Sequence, residues 1–169
     1  MNNIFVSIAG AVLSLSLSAA ASAQYPLPHS VHFAPASTSI SGTGTGAIGA
    51  TVCLVTWTGL TGPDVSGVEG AGHTGHADYV DTIISNYGAP GCDNYTTYAR
   101  LYANGTVTNV QVYSAAHSAV ICAGSGPYEG AAILTGNNPV TATVSPILIG
   151  DPCGELRGVF VTDEATLEN

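Results

Sequence analysis

Tyr95-Thr-Thr-Tyr98-Ala-Arg100-Leu-Tyr102-Ala103-Asn104-Gly105-Thr106-Val-Thr-Asn-Val110-Gln-Val112-Tyr113 decides the fold class of this chain. Two β-prone runs, Tyr95 to Ala103 and Thr106 to Tyr113, flank Asn104-Gly105, whose residues tolerate the positive φ that a two-residue hairpin turn requires. Working back toward the N-terminus, Tyr79 to Ile84 reads as another strand, with Val80, Thr82 and Ile84 on one side and Tyr79, Asp81 and Ile83 on the other. Tyr87 to Cys92 reads as a turn. Val52 and Leu54 alternate with Cys53, Val55 and Trp57; both sets are apolar, which predicts a strand buried on both faces. Toward the C-terminus, Ala119 to Cys122, Ala131 to Leu134, Val140 to Val144 and Pro146 to Ile149 are short β-prone runs cut by glycine and proline turns. Leu156 to Val161 reads as the last core strand, and Thr162 to Asn169 as a frayed tail or short edge. Thr61 to Gly75 carries Gly62-Pro63-Asp64 and a run of glycines, the signature of a long loop or irregular hairpin. The expectation is an all-β chain, a single antiparallel β-sandwich or barrel-like domain.

The first twenty-three residues differ from the rest. An apolar block from Ile8 to Leu17 followed by Ala21-Ser22-Ala23 predicts a cleavable export signal over 1–23, although Met1-Asn2-Asn3 lacks the usual basic residue. No later apolar run is long enough to span a membrane. Residues 24–47, rich in Pro, Ser, Thr and Gly, read as an extended N-terminal arm or first strand, and 48–169 as the β-domain. The predicted location is secreted, periplasmic or at the cell surface.

Charge narrows the partners. The chain carries 11 acidic residues against 2 basic ones, for a formal net charge of −9. The acids all fall after the predicted signal, and the only cations are Arg100 and Arg157. Binding nucleic acid or anionic lipid depends on Lys and Arg neutralising phosphates, so neither is an expected partner. Cys53, Cys92, Cys122 and Cys153 are widely spaced, with no Cys-x-x-Cys pair. In an exported chain that spacing predicts two disulfides rather than a zinc or redox motif. Three pairings are open, of which the one joining neighbours in order, Cys53 with Cys92 and Cys122 with Cys153, is preferred.

Candidate chemistry is sparse. Gly70-Ala71-Gly72-His73-Thr74-Gly75-His76-Ala77-Asp78 places two imidazoles and a carboxylate within six residues. His73, His76 and Asp78 are candidate ligands for a divalent metal, since flanking glycines let the backbone fold the donors inward; otherwise no cofactor is expected. Solvated turn residues are the plainer reading of the same stretch. No Gly-x-Ser-x-Gly elbow occurs, and the nearness of His117 to Ser114 and Ser118 does not make a triad. Asp151 and Glu155 form a carboxylate pair of the kind glycoside hydrolysis uses, but scattered acids make some such pair inevitable. No catalytic residue is assigned. Tyr98 and Tyr102 share a strand face with Arg100 between them, a candidate aromatic binding face for sugars, peptides or an apolar surface. Asn94-Tyr95-Thr96 and Asn104-Gly105-Thr106 are formal glycosylation sequons.

The Cys53 strand ending in Val55-Thr56-Trp57-Thr58-Gly59, the Asp81-Thr82-Ile83-Ile84-Ser85 to Cys92 segment and Cys153-Gly154-Glu155-Leu156-Arg157-Gly158 together resemble the bacterial alkane-oxidation activator protein family over roughly the mature domain. This chain departs from the family pattern in lacking Leu-Pro-Trp after the second cysteine, in the extra Cys122 and in the His73 to Asp78 loop. The resemblance implies an exported accessory protein promoting hydrocarbon use or surface attachment, with no catalytic residues to carry over. The expected function is accordingly an exported non-enzymatic accessory or surface protein, acting in adhesion, extracellular matrix or hydrocarbon uptake. In one version it self-associates, its arm adding as a strand to a neighbour's sheet through Ser30 to Phe33 and Ser37 to Ile40. The alternatives are a small secreted metal-dependent hydrolase built on His73, His76 and Asp78, and a barrel holding an apolar ligand in a cavity lined by Val52, Leu54, Ile83, Val110 and Ile133.

Overall fold

In a computed structural model of the chain, which describes residues 31–87, 91–92 and 95–168, strands dominate. The predicted signal over 1–23 and the start of the arm lie outside the described residues. Nine strands form one antiparallel sheet: β2 (Ser39–Ile48), β3 (Thr51–Thr61), β4 (Tyr79–Tyr87), β5 (Tyr95–Tyr102), β6 (Val107–Ser114), β7 (Ala119–Ala123), β8 (Ala132–Thr135), β9 (Val140–Gly150) and β10 (Gly154–Thr162), in the order β7-β6-β5-β4-β3-β2-β10-β9-β8. A second, two-stranded sheet pairs β1 (His32–Ala34) with β11 (Thr166–Glu168), Phe33 lying opposite Leu167. One short helix, α1 (Ser66–Glu69), and a single 3-10 turn over Ala71–His73 break the β3–β4 connection. No helix among the described residues is long and apolar enough to cross a membrane.

The Asn104-Gly105 hairpin forms between β5 and β6, with Gly105 at φ 84°. The two runs Val140 to Val144 and Pro146 to Ile149 are a single strand, β9, which pairs with β10 through register shifts beside Gly154 and Gly158. The C-terminal tail ends in β11.

The described part of the arm is built into the domain. β2 sits between β3 and β10, with both edges paired. Its Gly42-Thr43-Gly44-Thr45-Gly46 run has a packing reason. A Cβ at Gly42 would overlap the Val161 carbonyl oxygen and the Trp57 indole, and one at Gly46 would press on Val55. The inward positions of this run are left without side chains so that large neighbours can lie across them.

β3 corrects one expectation. Cys53, Val55 and Trp57 are buried, whereas Val52 and Leu54 are 59% and 51% exposed. The sheet is covered on one face only, so a strand apolar on both sides leaves half of its apolar residues in solvent. Ile83 and Ile133 also point outward, while Val110 is buried. The cavity lining expected for a ligand barrel is therefore not formed by those residues.

Covering comes from the sheet curling on itself. Val107, Val110 and Val112 of β6 and Cys122 of β7 share one core with Ala132 of β8, Ile147 and Ile149 of β9 and Leu156 of β10, so strands from opposite ends of the sheet meet. Bridging hydrogen bonds fix the approach: Val107 and Tyr128 exchange backbone bonds of 3.1 and 2.9 Å, and the Ala132 amide donates to the Gly105 carbonyl at 2.9 Å. A second core gathers Phe33, Ile40, Val55, Trp57, Val80, Ile84, Ala103 and Ala165 under the β1–β11 pair. The apolar interior leaves a cavity of only 60 Å³, far below the roughly 300 Å³ at which ordinary ligand pockets begin.

The disulfides are Cys53–Cys92 and Cys122–Cys153. The second ties β7, one end of the sheet, to the β9–β10 turn near the other end. Such bridges are compatible with an oxidising compartment. With partners 39 and 31 positions apart in sequence, each removes enough denatured-chain entropy to contribute about 4 kcal/mol in the loop-closure model.

Candidate metal centre

The β3–β4 connection brings Glu69, His73 and His76 beside His32 of β1. Asp64 closes the loop: its Oδ1 accepts the Ser66 amide and its Oδ2 the Gly75 amide, each at 2.7 Å. Hydrogen bonding to Ser66, reinforced by the Gly75 amide, holds the Asp64 carboxyl below its ordinary value. Gly70 and Gly75, at φ 103° and 85°, make the bends that side chains would strain. The closed loop presents Glu69 from the end of α1 and His73 from the 3-10 turn.

From the other side comes His32 on β1. Phe33 and Ala77 exchange backbone hydrogen bonds of 2.8 Å in both directions, which lays β1 against the end of the loop. His32 is fully buried. Its Nδ1 lies 3.1 Å from Asp78 Oδ1 and its Nε2 3.3 Å from Glu69 Oε2. The Nε2 contact lacks hydrogen-bond geometry. With Nδ1–H donated to Asp78, the Nε2 lone pair faces a carboxylate oxygen, and two acceptors so placed repel each other unless a proton or a metal ion lies between them.

His73 and His76 complete the group. The donor atoms of His32, Glu69 and His73 all lie within 4.8 Å of one another. His73 Nδ1 and His76 Nδ1 are both buried and without a hydrogen-bond partner. His76 Nε2 is 3.0 Å from Glu168 Oε2 on β11. The Glu69 side chain is itself 8% exposed. A buried set of imidazole nitrogens and one carboxylate is the donor chemistry of zinc and its first-row neighbours.

Of the three residues singled out in the sequence, His73 and His76 are brought to this cluster. Asp78 stands behind His32, oriented toward Nδ1 rather than toward Glu69. His32 and Glu69 carry no signal in local spacing; what assembles them is the pairing of Phe33 with Ala77.

The aromatic face resolves differently. Arg100 donates to both Asp81 carboxylate oxygens, at 2.7 and 2.8 Å, and its guanidinium lies 3.9 Å over the Tyr79 ring. The Asp81 hydrogen bonds raise its pKa further above the ordinary arginine range. Arg100 is thus engaged within the sheet surface, and Tyr79 and Tyr102 pack against each other at 5.7 Å. Tyr98 remains exposed beside Leu60, Ile83, Asn109 and Glu164 in an open outer cleft. Ser114 Oγ and His117 Nδ1 make a local 3.1 Å contact near the β6–β7 turn.

Comparison of the chain with protein-family models, with curated protein sequences and with solved structures gives no match. The likeness to the alkane-oxidation activator family therefore rests on the short motifs alone.

Proposed function

We propose that this chain is an exported metal-binding β-domain that takes one zinc-type divalent ion between β1 and the β3–β4 connection, with His32 Nε2, Glu69 and His73 as donors. The observation that carries the reading is that His32, Glu69 and His73 hold their donor atoms within 4.8 Å of one another while His32 Nε2 and His73 Nδ1 are buried without a hydrogen bond. Buried polar atoms are nearly always satisfied, so two buried imidazole nitrogens without hydrogen bonds beside a carboxylate ask for an occupant. Asp78 supports the reading as the carboxylate that fixes the His32 tautomer, the usual outer partner of a metal-bound imidazole. Metal analysis after chelator-free purification and zinc titration calorimetry test it. One equivalent per chain, lost in His32→Ala and in Glu69→Gln, is expected; a chain that binds no zinc, or binds it equally well without His32, overturns the proposal.

A second reading concerns attachment. Val52, Leu54, Leu60, Ile83 and Tyr98 are 39 to 59% exposed on neighbouring strands β3, β4 and β5, giving an apolar outer surface of the kind that marks interaction sites. This favours an accessory role at an apolar surface such as a hydrocarbon droplet. Adsorption to hexadecane droplets should fall sharply in the Leu54→Ser, Ile83→Ser double variant, and equal adsorption would discard the reading.

A further inference from the structure

We infer that His76 Nδ1 is a fourth protein ligand, so that three imidazoles and one carboxylate enclose the ion and leave no position for a reactive water. The inference rests on the metal-binding reading and decides its kind: a structural clamp, not a hydrolytic centre. Structural zinc sites are closed by four protein donors, whereas catalytic ones keep a coordination position for water or substrate.

His76 is built like His32. One nitrogen of each ring is engaged by a carboxylate, Asp78 for His32 and Glu168 for His76, at 3.1 and 3.0 Å. The other nitrogen of each is buried with no hydrogen-bond partner. Two rings whose tautomers are set from behind by carboxylates is a repeated arrangement, and it serves to leave a lone pair on the inner nitrogen.

Ring spacing agrees. Three imidazoles bound to one tetrahedral ion through bonds of ~2.05 Å have centroids about 5.2 Å apart. Here the separations are 4.8 Å for His32–His73, 5.6 Å for His32–His76 and 5.8 Å for His73–His76. The 3.3 Å between His32 Nε2 and Glu69 Oε2 equals the donor-to-donor edge of the same tetrahedron, about 3.3 Å. The donors of Glu69, His73 and His32 already lie within 4.8 Å of one another; His76 stands outside that group, and its ring would turn inward from the β11 side to close on the ion. Through His76 and Glu168 the clamp would join β1, the β3–β4 connection and β11.

Cobalt(II) substitution of the oxidised full chain tests this. The expected result is one Co(II) per chain with the intense visible bands of a tetrahedral ion. In His76→Ala those bands should weaken as water enters, with Co(II) affinity falling on the order of 100-fold; Glu168→Gln should keep the tetrahedral spectrum and lose about tenfold. A wild-type spectrum that is weak, as for a five- or six-coordinate ion, overturns the fourth ligand while leaving the metal site intact, and so does a His76→Ala spectrum identical to wild type. If neither Co(II) nor Zn(II) binds the wild-type chain, both proposals fall. A wild-type spectrum that shifts at about pH 7, as when a metal-bound water ionises, would overturn the closed site even where a variant fails to fold.

Discussion

Asp78 Oδ1 lies 3.1 Å from His32 Nδ1, and this one hydrogen bond selects which imidazole nitrogen faces Glu69. Replacing the carboxylate by an amide lets the ring adopt either tautomer, since an amide can donate as well as accept. Asp78→Asn should therefore weaken zinc binding by about 10- to 100-fold with little change in fold, as removal of outer-shell partners does elsewhere. Calorimetry paired with circular dichroism would read both; unchanged affinity would assign Asp78 no orienting role.

The Asp64 clasp predicts an acid-sensitive loop. Its folded pKa lies below the ordinary 3.8 because Ser66 and Gly75 bond the ionised form. The contribution is therefore complete above that ordinary value and is lost as pH falls through the lower folded one. Amide hydrogen exchange at Ser66 and Gly75 should accelerate, after correction for intrinsic rates, only below pH 3.8. Loss of protection already well above that value would mean that other groups hold the loop.

One-sided burial makes β3 a contrast within a single strand. Val55 is fully buried and Val52 is 59% exposed. Val55→Ala should cost about 2 kcal/mol in urea unfolding, from lost transfer energy plus the cavity left behind. Val52→Ser should change stability by no more than ~0.5 kcal/mol. Comparable losses at the two positions would show that the outer face is covered in solution.

The Cys122–Cys153 bridge acts where the curled sheet closes. Replacing both cysteines by alanine should lower unfolding free energy by about 2 to 4 kcal/mol. Nuclear magnetic resonance shifts should move most in β7 and in the β9–β10 turn, and least around His32. A cost near zero would mean that the Val107–Tyr128 bridge and the shared valine core close the sheet unaided.

Local chemistry made the hairpins legible and left the assembly hidden. Asn104-Gly105 announces its turn because positive φ is a property of those residues, and the ordered cysteine spacing anticipated the pairing found. Gly42, Gly44 and Gly46 left arm and first strand both open because glycine marks both a loose segment and a strand crossed by a neighbour's indole; only the position of Trp57 on the adjacent strand separates the two. Val52 and Leu54 misled because alternation records which residues are apolar, not whether a second layer exists to cover them. At the candidate centre, His73 and His76 stood out by their spacing. His32 and Glu69 could not, since nothing local ties a lone histidine on a three-residue strand to a glutamate at the end of a four-residue helix.

The β1–β11 pair sets His32 opposite Glu168, so the first and last described strands leave the domain as neighbours. A short peptide joining them, with new ends opened in the exposed turn 115–118, would rewire the chain's order while keeping His32, Glu69, His73 and His76 in place. Such a permuted domain would also carry any fused reporter away from the imidazole cluster, at the far reach of the β6–β7 hairpin, which makes it the natural frame for building a metal sensor.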